Sequence, residues 1–221
     1  MPREHYVEQL ERLQDNVLEM GSMVDRQIER ALEALLNRDI ALAEAVARDD
    51  RMINQARYDI DTDCLALMAQ QAPLASDLRL VVSVLSIVTD LERMGDHAEG
   101  IARIVILMQD EPLVKPLVDI PLMAKHARAM TRDALDAFVG DDVEAAYAVG
   151  RADDIVDSLQ DTVYLDLLKI MIADPTTIEA CTHLLWVAHN LERIADRATN
   201  IAERTVFAVS GTLPEMDVSA Y

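Results

Sequence analysis

The sequence predicts an all-α chain, a tandem repeat of two three-helix bundles made of six long antiparallel helices. Three observations carry this. Hydrophobic residues make up 51% of the 221 positions while aromatics are only 4%, a balance that suits helix-on-helix packing better than a sheet. All seven prolines fall where helices would start, stop or connect, as expected when an interior proline costs a helix about 3 kcal/mol. Finally, one stretch occurs twice. Asp90-Leu91-Glu92-Arg93-Met94-Gly95-Asp96-His97-Ala98 returns as Asn190-Leu191-Glu192-Arg193-Ile194-Ala195-Asp196-Arg197-Ala198.

Taken in order, residues 4–37 carry apolar positions at helical spacing from Leu10 to Leu35. Asn37-Arg38-Asp39 breaks the pattern, with Asp39 as N-cap of a second helix over 40–71. Pro73 opens a third helix to about 109, and Asp77 in its first turn suits the helix dipole. Asp110 to Pro121, with three prolines, is the linker. A shorter helix follows over 121–139 and a fifth over 142–173. Asp174-Pro175 caps and starts a sixth, which Gly211 ends. The domains expected are 1–110 and 117–210, with a tail over 211–221. The repeat reaches beyond the motif, since Arg30–Leu35 matches Asp133–Phe138 and Pro73 matches Pro175.

Forty acids against twenty bases give a net charge of −20. That field repels nucleic acid and anionic lipid, and favours cations and basic protein surfaces. The charged N-terminus has no secretory h-region, and the most apolar window, Leu78 to Val88, is too short to cross a bilayer. A soluble cytoplasmic protein is expected, with Cys64 and Cys181 as buried reduced thiols.

Each copy of the motif holds Glu and Asp four apart, one turn above each other beside the apolar seam. Folding each half about its central proline pairs them with a second set. Glu92 and Asp96 lie 19 and 23 residues after Pro73, and Asn54 and Asp50 lie equally far before it. Glu192 and Asp196 lie 17 and 21 after Pro175, with Asp157 and Asp153 lying 18 and 22 before it. A single acidic pair most often marks a solvated face, and Asp59 and Asp63 read that way. Duplication, placement beside the seam and mirror matching reverse that reading for the two motifs. All-oxygen cages suit hard cations such as magnesium, manganese, calcium or iron, with zinc open through carboxylates alone. Four carboxylates in the second unit, against three and Asn54 in the first, predict tighter binding in the second.

Arg93 and Arg193 each have two readings, an i, i+3 pair with the following Asp or a partner contact. His97 faces Arg197 in the repeat and reads as a surface histidine. His183 and His189 lack a nucleophile or a paired base, so no catalytic residue is assigned and no enzyme is expected. A helical carboxylate metalloenzyme would need such a base, and a purely structural adaptor would need no metal.

With these residues in view, the chain resembles the PhoU family of phosphate-uptake regulators over almost its whole length. The motifs that carry the resemblance are Pro73-Leu74-Ala75-Ser76-Asp77-Leu78-Arg79, the Asp90–Ala98 stretch, and Asn190 to Glu203. The resemblance implies two tandem three-helix bundles. It implies a cytoplasmic negative regulator of the phosphate regulon and of phosphate uptake, an adaptor between the phosphate ABC transporter and a sensor histidine kinase, expected as a homodimer. It also implies several metal ions per chain (iron, zinc, manganese or magnesium). These map onto Glu92, Asp96, Glu192 and Asp196, opposed by Asp50, Asp153 and Asp157. Asn54, and Gly100 where the second copy has Asn200, depart from the pattern and put the first site in doubt.

Overall fold

Six long helices carry the chain, and the caps that bound them are the ones that the local sequence dictates. The computed structural model describes residues 2–108 and 113–216, with side chains from Tyr6 onward. The expected end of the third helix at 109, the first part of the expected linker (110–112) and the end of the tail (217–221) lie outside the described residues. The helices are α1 (Pro2–Asn37), α2 (Ile40–Gln71), α3 (Ser76–Leu107), α4 (Asp119–Val139), α5 (Val143–Ala173) and α6 (Ile178–Ser210).

Both bundles turn their first corner in the same way. Asp39 accepts from the Leu42 amide, and Asp142 from the Ala145 amide. The residue before each cap is left-handed, Arg38 at φ 54° and Asp141 at φ 51°. Gly211, at φ 79°, closes α6 as an αL cap. Two starts differ from expectation. Pro73 lies inside a turn bounded by left-handed Ala72 and Ala75, so α3 begins at Ser76. Pro175 begins a single 3₁₀ turn, with Asp174 accepting from Thr176, and α6 follows it.

Helices α1, α2 and α3 pack on one another, as do α4, α5 and α6. The bundles join mainly through α3 against α6, with α1 touching α4. The central pair runs antiparallel. Arg79 donates to the Ala208 carbonyl, Ser83 to the Arg204 carbonyl, and Arg197 to Asp90; further along, His97 bonds to Asn190. Exchanging 90 with 190 and 97 with 197 maps this ladder onto itself, so the seam has a pseudo-twofold axis. Its core is aliphatic: Leu91, Met94, Ile101, Leu191, Ile194 and Ile201 are almost wholly buried. No described helix is long and apolar enough to cross a membrane, and both cysteines are buried and free.

Candidate metal centres and the seam between the bundles

In the first bundle α2 brings Asp50 against α3. Asp50 is 7% exposed and accepts from Gln27 Nε2 at 3.1 Å and from Asn54 Nδ2 at 2.9 Å. Its Oδ1 lies 3.3 Å from where a Cβ on Gly95 would sit, so glycine there lets α2 approach α3. Glu92 is met by Arg57, not by Asn54, with Nη1 to Oε1 at 2.9 Å. Arg57 lies one turn along α2 from Asn54 and reaches Glu92 through its long side chain, while Asp50, mirrored to Asp96 through Pro73, lies against Gly95. Asp96 keeps an edge open to water. Burial pushes its carboxyl up to about 6, and the charges of Glu92, Asp50 and Glu99 push in the same direction.

Gln27, Arg57 and Glu99 belong to this cluster and were missed by mirroring two helices. Gln27 comes from α1, the third helix of the bundle. Its Oε1 is buried and has no hydrogen-bond partner among the described residues, 3.1 Å from the same Gly95 Cβ position. A buried acceptor without a donor, beside carboxylates that repel one another, is the kind of oxygen set a hard cation satisfies. The first centre therefore fits a cation on its donor chemistry.

The second bundle is arranged differently. Arg193 forks onto Glu192, with Nε to Oε2 at 2.7 Å and Nη2 to Oε1 at 2.6 Å, and its Nη1 reaches Asp196 at 3.0 Å. His189 Nδ1 stands 3.5 Å from Glu192. On α5, Asp153 is buried and Asp157 half-buried. Gln160 and Tyr164 line one wall of a groove whose other wall is Leu185, Trp186 and His189. Continuing that antiparallel register by one and two turns sets Asp157 and Asp153 level with Glu192 and Asp196. Here the guanidinium of Arg193 occupies the place of a cation between the two motif carboxylates. With side chains placed thus, no three His, Cys, Asp or Glu among the described residues converge closely enough to hold a metal ion.

Three motif-stripe residues belong elsewhere. His97, read as a surface histidine, is half-buried at the seam, where its Nδ1 lies 3.0 Å from Asn190 Oδ1 and burial holds its pKa below the ordinary value. Gly100 is a close-approach point: a Cβ there would meet Asn190 Oδ1 at 3.1 Å. Asn200 turns to Asp90 across the seam, so neither position is a cage ligand. Among the positions where the two copies differ, 90, 97 and 100 against 190, 197 and 200 share one helical stripe, and that shared stripe was the available signal.

Comparison with known proteins fits this architecture. The PhoU domain model matches residues 17–105 and again 120–205. A phosphate-specific transport system accessory protein PhoU homolog from Clostridium acetobutylicum is 37% identical over 96% of this chain and 97% of its own length. The crystal structure of PhoU from Pseudomonas aeruginosa superposes with TM-score 0.89 at 36% identity, covering 94% of this chain and all of that one. The phosphate transport system regulatory protein PhoU from Streptococcus pneumoniae also gives 0.89, at 32% identity over 95% of this chain and 99% of its own. With both halves matched by the domain and the whole architecture shared, the chain belongs to the PhoU family.

Proposed function

We propose that this chain is an accessory protein of a phosphate-specific transport system, acting as a cytoplasmic negative regulator of phosphate uptake and of the phosphate regulon. The observation that carries the reading is similarity to such an accessory protein along nearly the full length of both chains. In this reading it links the phosphate ABC transporter to a sensor histidine kinase, as a homodimer and without catalytic chemistry of its own. The relatives' names describe accessory or regulatory proteins, which supports a non-enzymatic role. A partner surface is available in the groove of about 600 Å³ between α5 and α6, where Trp186 is 56% and Tyr164 52% exposed. Arg193 takes the ion-pair reading, spanning Glu192 and Asp196, which leaves Arg93, exposed on α3, as the charged side chain available to a partner.

In the same reading a hard cation is held in the first bundle by Asp50, Glu92 and Asp96, with Glu99 and Gln27 beside them. A second is held by Asp153, Asp157, Glu192 and Asp196 once Arg193 moves aside. A bound cation would neutralise these carboxylates and tie α2 to α3, and α5 to α6. Deleting the gene should raise phosphatase and phosphate-transporter expression in phosphate-rich medium. Unchanged expression would remove the regulatory reading, and pull-downs at high and low phosphate identify the partners. Elemental analysis of the purified protein separates the metal-binding reading from a metal-free adaptor.

A further inference from the structure

At the seam, α3 and α6 enclose a polar groove of about 450 Å³ that neither carboxylate cluster uses. It is a ligand-sized space. Three arginines line it, Arg93, Arg197 and Arg204, together with Asp90, Asn200 and Glu203. In a chain of net charge −20 this is a local concentration of positive charge. Arg93 and Arg204 make no ion pair or side-chain hydrogen bond with a described residue. Glu203, which also lines the groove, accepts from the Met216 amide at 2.7 Å.

Half-buried Arg197 and buried Asp90 have complementary unmet needs. Arg197 Nε is buried with no acceptor among the described residues, which costs a desolvated donor. Asp90 is 8% exposed, yet its Oδ1 receives only long bonds, from Arg197 Nη1 at 3.3 Å and Asn200 Nδ2 at 3.4 Å. The missing partner must therefore accept hydrogen bonds from guanidinium groups, donate one to a carboxylate, and carry negative charge for Arg93 and Arg204. Water meets the first two requirements and not the third. Sulfate meets the first and third only. A phosphomonoester loses its last P–OH above its second pKa of about 6. Hydrogen phosphate keeps one P–OH at slightly alkaline pH and meets all three.

We propose that the α3–α6 seam is a binding site for free hydrogen phosphate, with Arg93, Arg197 and Arg204 holding its oxygens and Asp90 accepting its P–OH proton in a hydrogen bond. No covalent step is involved. The site rests neither on bound metal nor on any protein partner, so its failure and that of the regulatory reading are distinguishable.

The test is calorimetric titration of the chelator-treated full-length protein at pH 8 with inorganic phosphate, sulfate and O-phosphoserine. Saturable phosphate binding is expected, with sulfate and O-phosphoserine weaker by at least about tenfold, the discrimination given by a site that pairs with a ligand hydroxyl. Arg93→Gln and Arg204→Gln remove only groove-edge charges, and each should weaken phosphate about tenfold or more. Asp90→Asn should close the gap between phosphate and sulfate, with circular dichroism confirming its fold. If Asp90→Asn does not fold, the two edge variants and the three-ligand comparison still decide. Absence of saturable phosphate binding, equal affinity for sulfate or O-phosphoserine in the unmodified protein, or indifference to Arg93→Gln would each overturn the proposal.

Discussion

The two carboxylate clusters share a motif and differ in what neutralises them. In the second bundle Arg193 lies across Glu192 and Asp196 and balances them from within. In the first, Arg93 follows Glu92 in the same way along the chain, but it lines the seam groove beside Asp90. Burial raises the pKa of that carboxyl, and its neighbours Arg197, Asn200 and Arg93 only partly offset the rise. The copies also differ one turn before this arginine, where Asp90 in the first stands against uncharged Asn190 in the second. Glu92 takes Arg57 from α2, and Asp96 is left among acids. Counting carboxylates favours the second cluster as the tighter cation site. Counting the carboxylates already neutralised favours the first, since Arg57 meets Glu92 alone while Arg193 meets both Glu192 and Asp196.

The largest effect should come from removing the internal counter-charge. A unit charge about 4 Å away is worth between about 1 and 4 kcal/mol as the local dielectric falls from that of water to a protein surface. Arg193→Gln should therefore raise manganese affinity in the second bundle about tenfold or more and leave the first unchanged. Anomalous scattering at limiting manganese reads both sites at once. In the unmodified protein it should show the first filled ahead of the second, and the reverse order would restore the carboxylate count as the governing quantity.

Next come the matched neutralisations, which should differ in sign. Asp196→Asn removes a carboxylate that Arg193 holds at 3.0 Å. It should lower the melting temperature of chelated protein by a few degrees, since about 1 kcal/mol corresponds to roughly 2–4 °C at this size. Asp96→Asn removes a carboxylate surrounded by acids and should raise it by about 1 °C. Equal shifts in the same direction would mean that the clusters are electrostatically alike. Manganese should then restore stability to the unmodified protein more than to Asp96→Asn, by mass action on the folded state.

The smallest effect is the pH dependence of the chelated protein. Asp96 titrates near 6 in the fold against 3.8 for a free side chain, so the folded state binds the extra proton between those values. Its contribution is greatest below pH 4 and is lost as pH rises through about 6, by less than about 1 kcal/mol because the group is half open to water. Denaturant titrations from pH 4 to 7 should show the unmodified protein losing stability relative to Asp96→Asn. A flat difference would place Asp96 outside the acid cluster.

Much of this was legible in the sequence. The duplicated motif, Asp39 and Asp174 as caps, and the punctuating prolines describe six helices in two bundles, because caps and proline act locally. The carboxylates were found for the same reason, since i, i+4 spacing is a local geometric fact. What escaped was whatever depended on a partner distant in the chain. Arg57 meets Glu92 because its side chain is long enough to reach one turn beyond the mirrored position, which residue spacing alone does not convey. Gln27 enters from the bundle's third helix. Asp90, His97 and Gly100 answer to α6, a hundred residues away, and only their shared stripe announces it.

The seam also has a consequence during synthesis. At elongation rates of about 5–20 residues per second, α3 leaves the ribosome roughly 5–20 seconds before α6 is complete. Until then the nascent half-chain carries an uncovered face containing Ser83, Asp90 and His97, whose proper partners do not yet exist. Because that face pairs with α6 through a pseudo-twofold ladder, it also approximates its own complement. Two half-made chains on one polysome can cross-pair through it. His97 would then meet Asp90 in place of Asn190, and Gly100 would offer no side chain where Asn200 belongs. Divergence between the two copies thus lets a finished chain prefer its own second half to a neighbour's first.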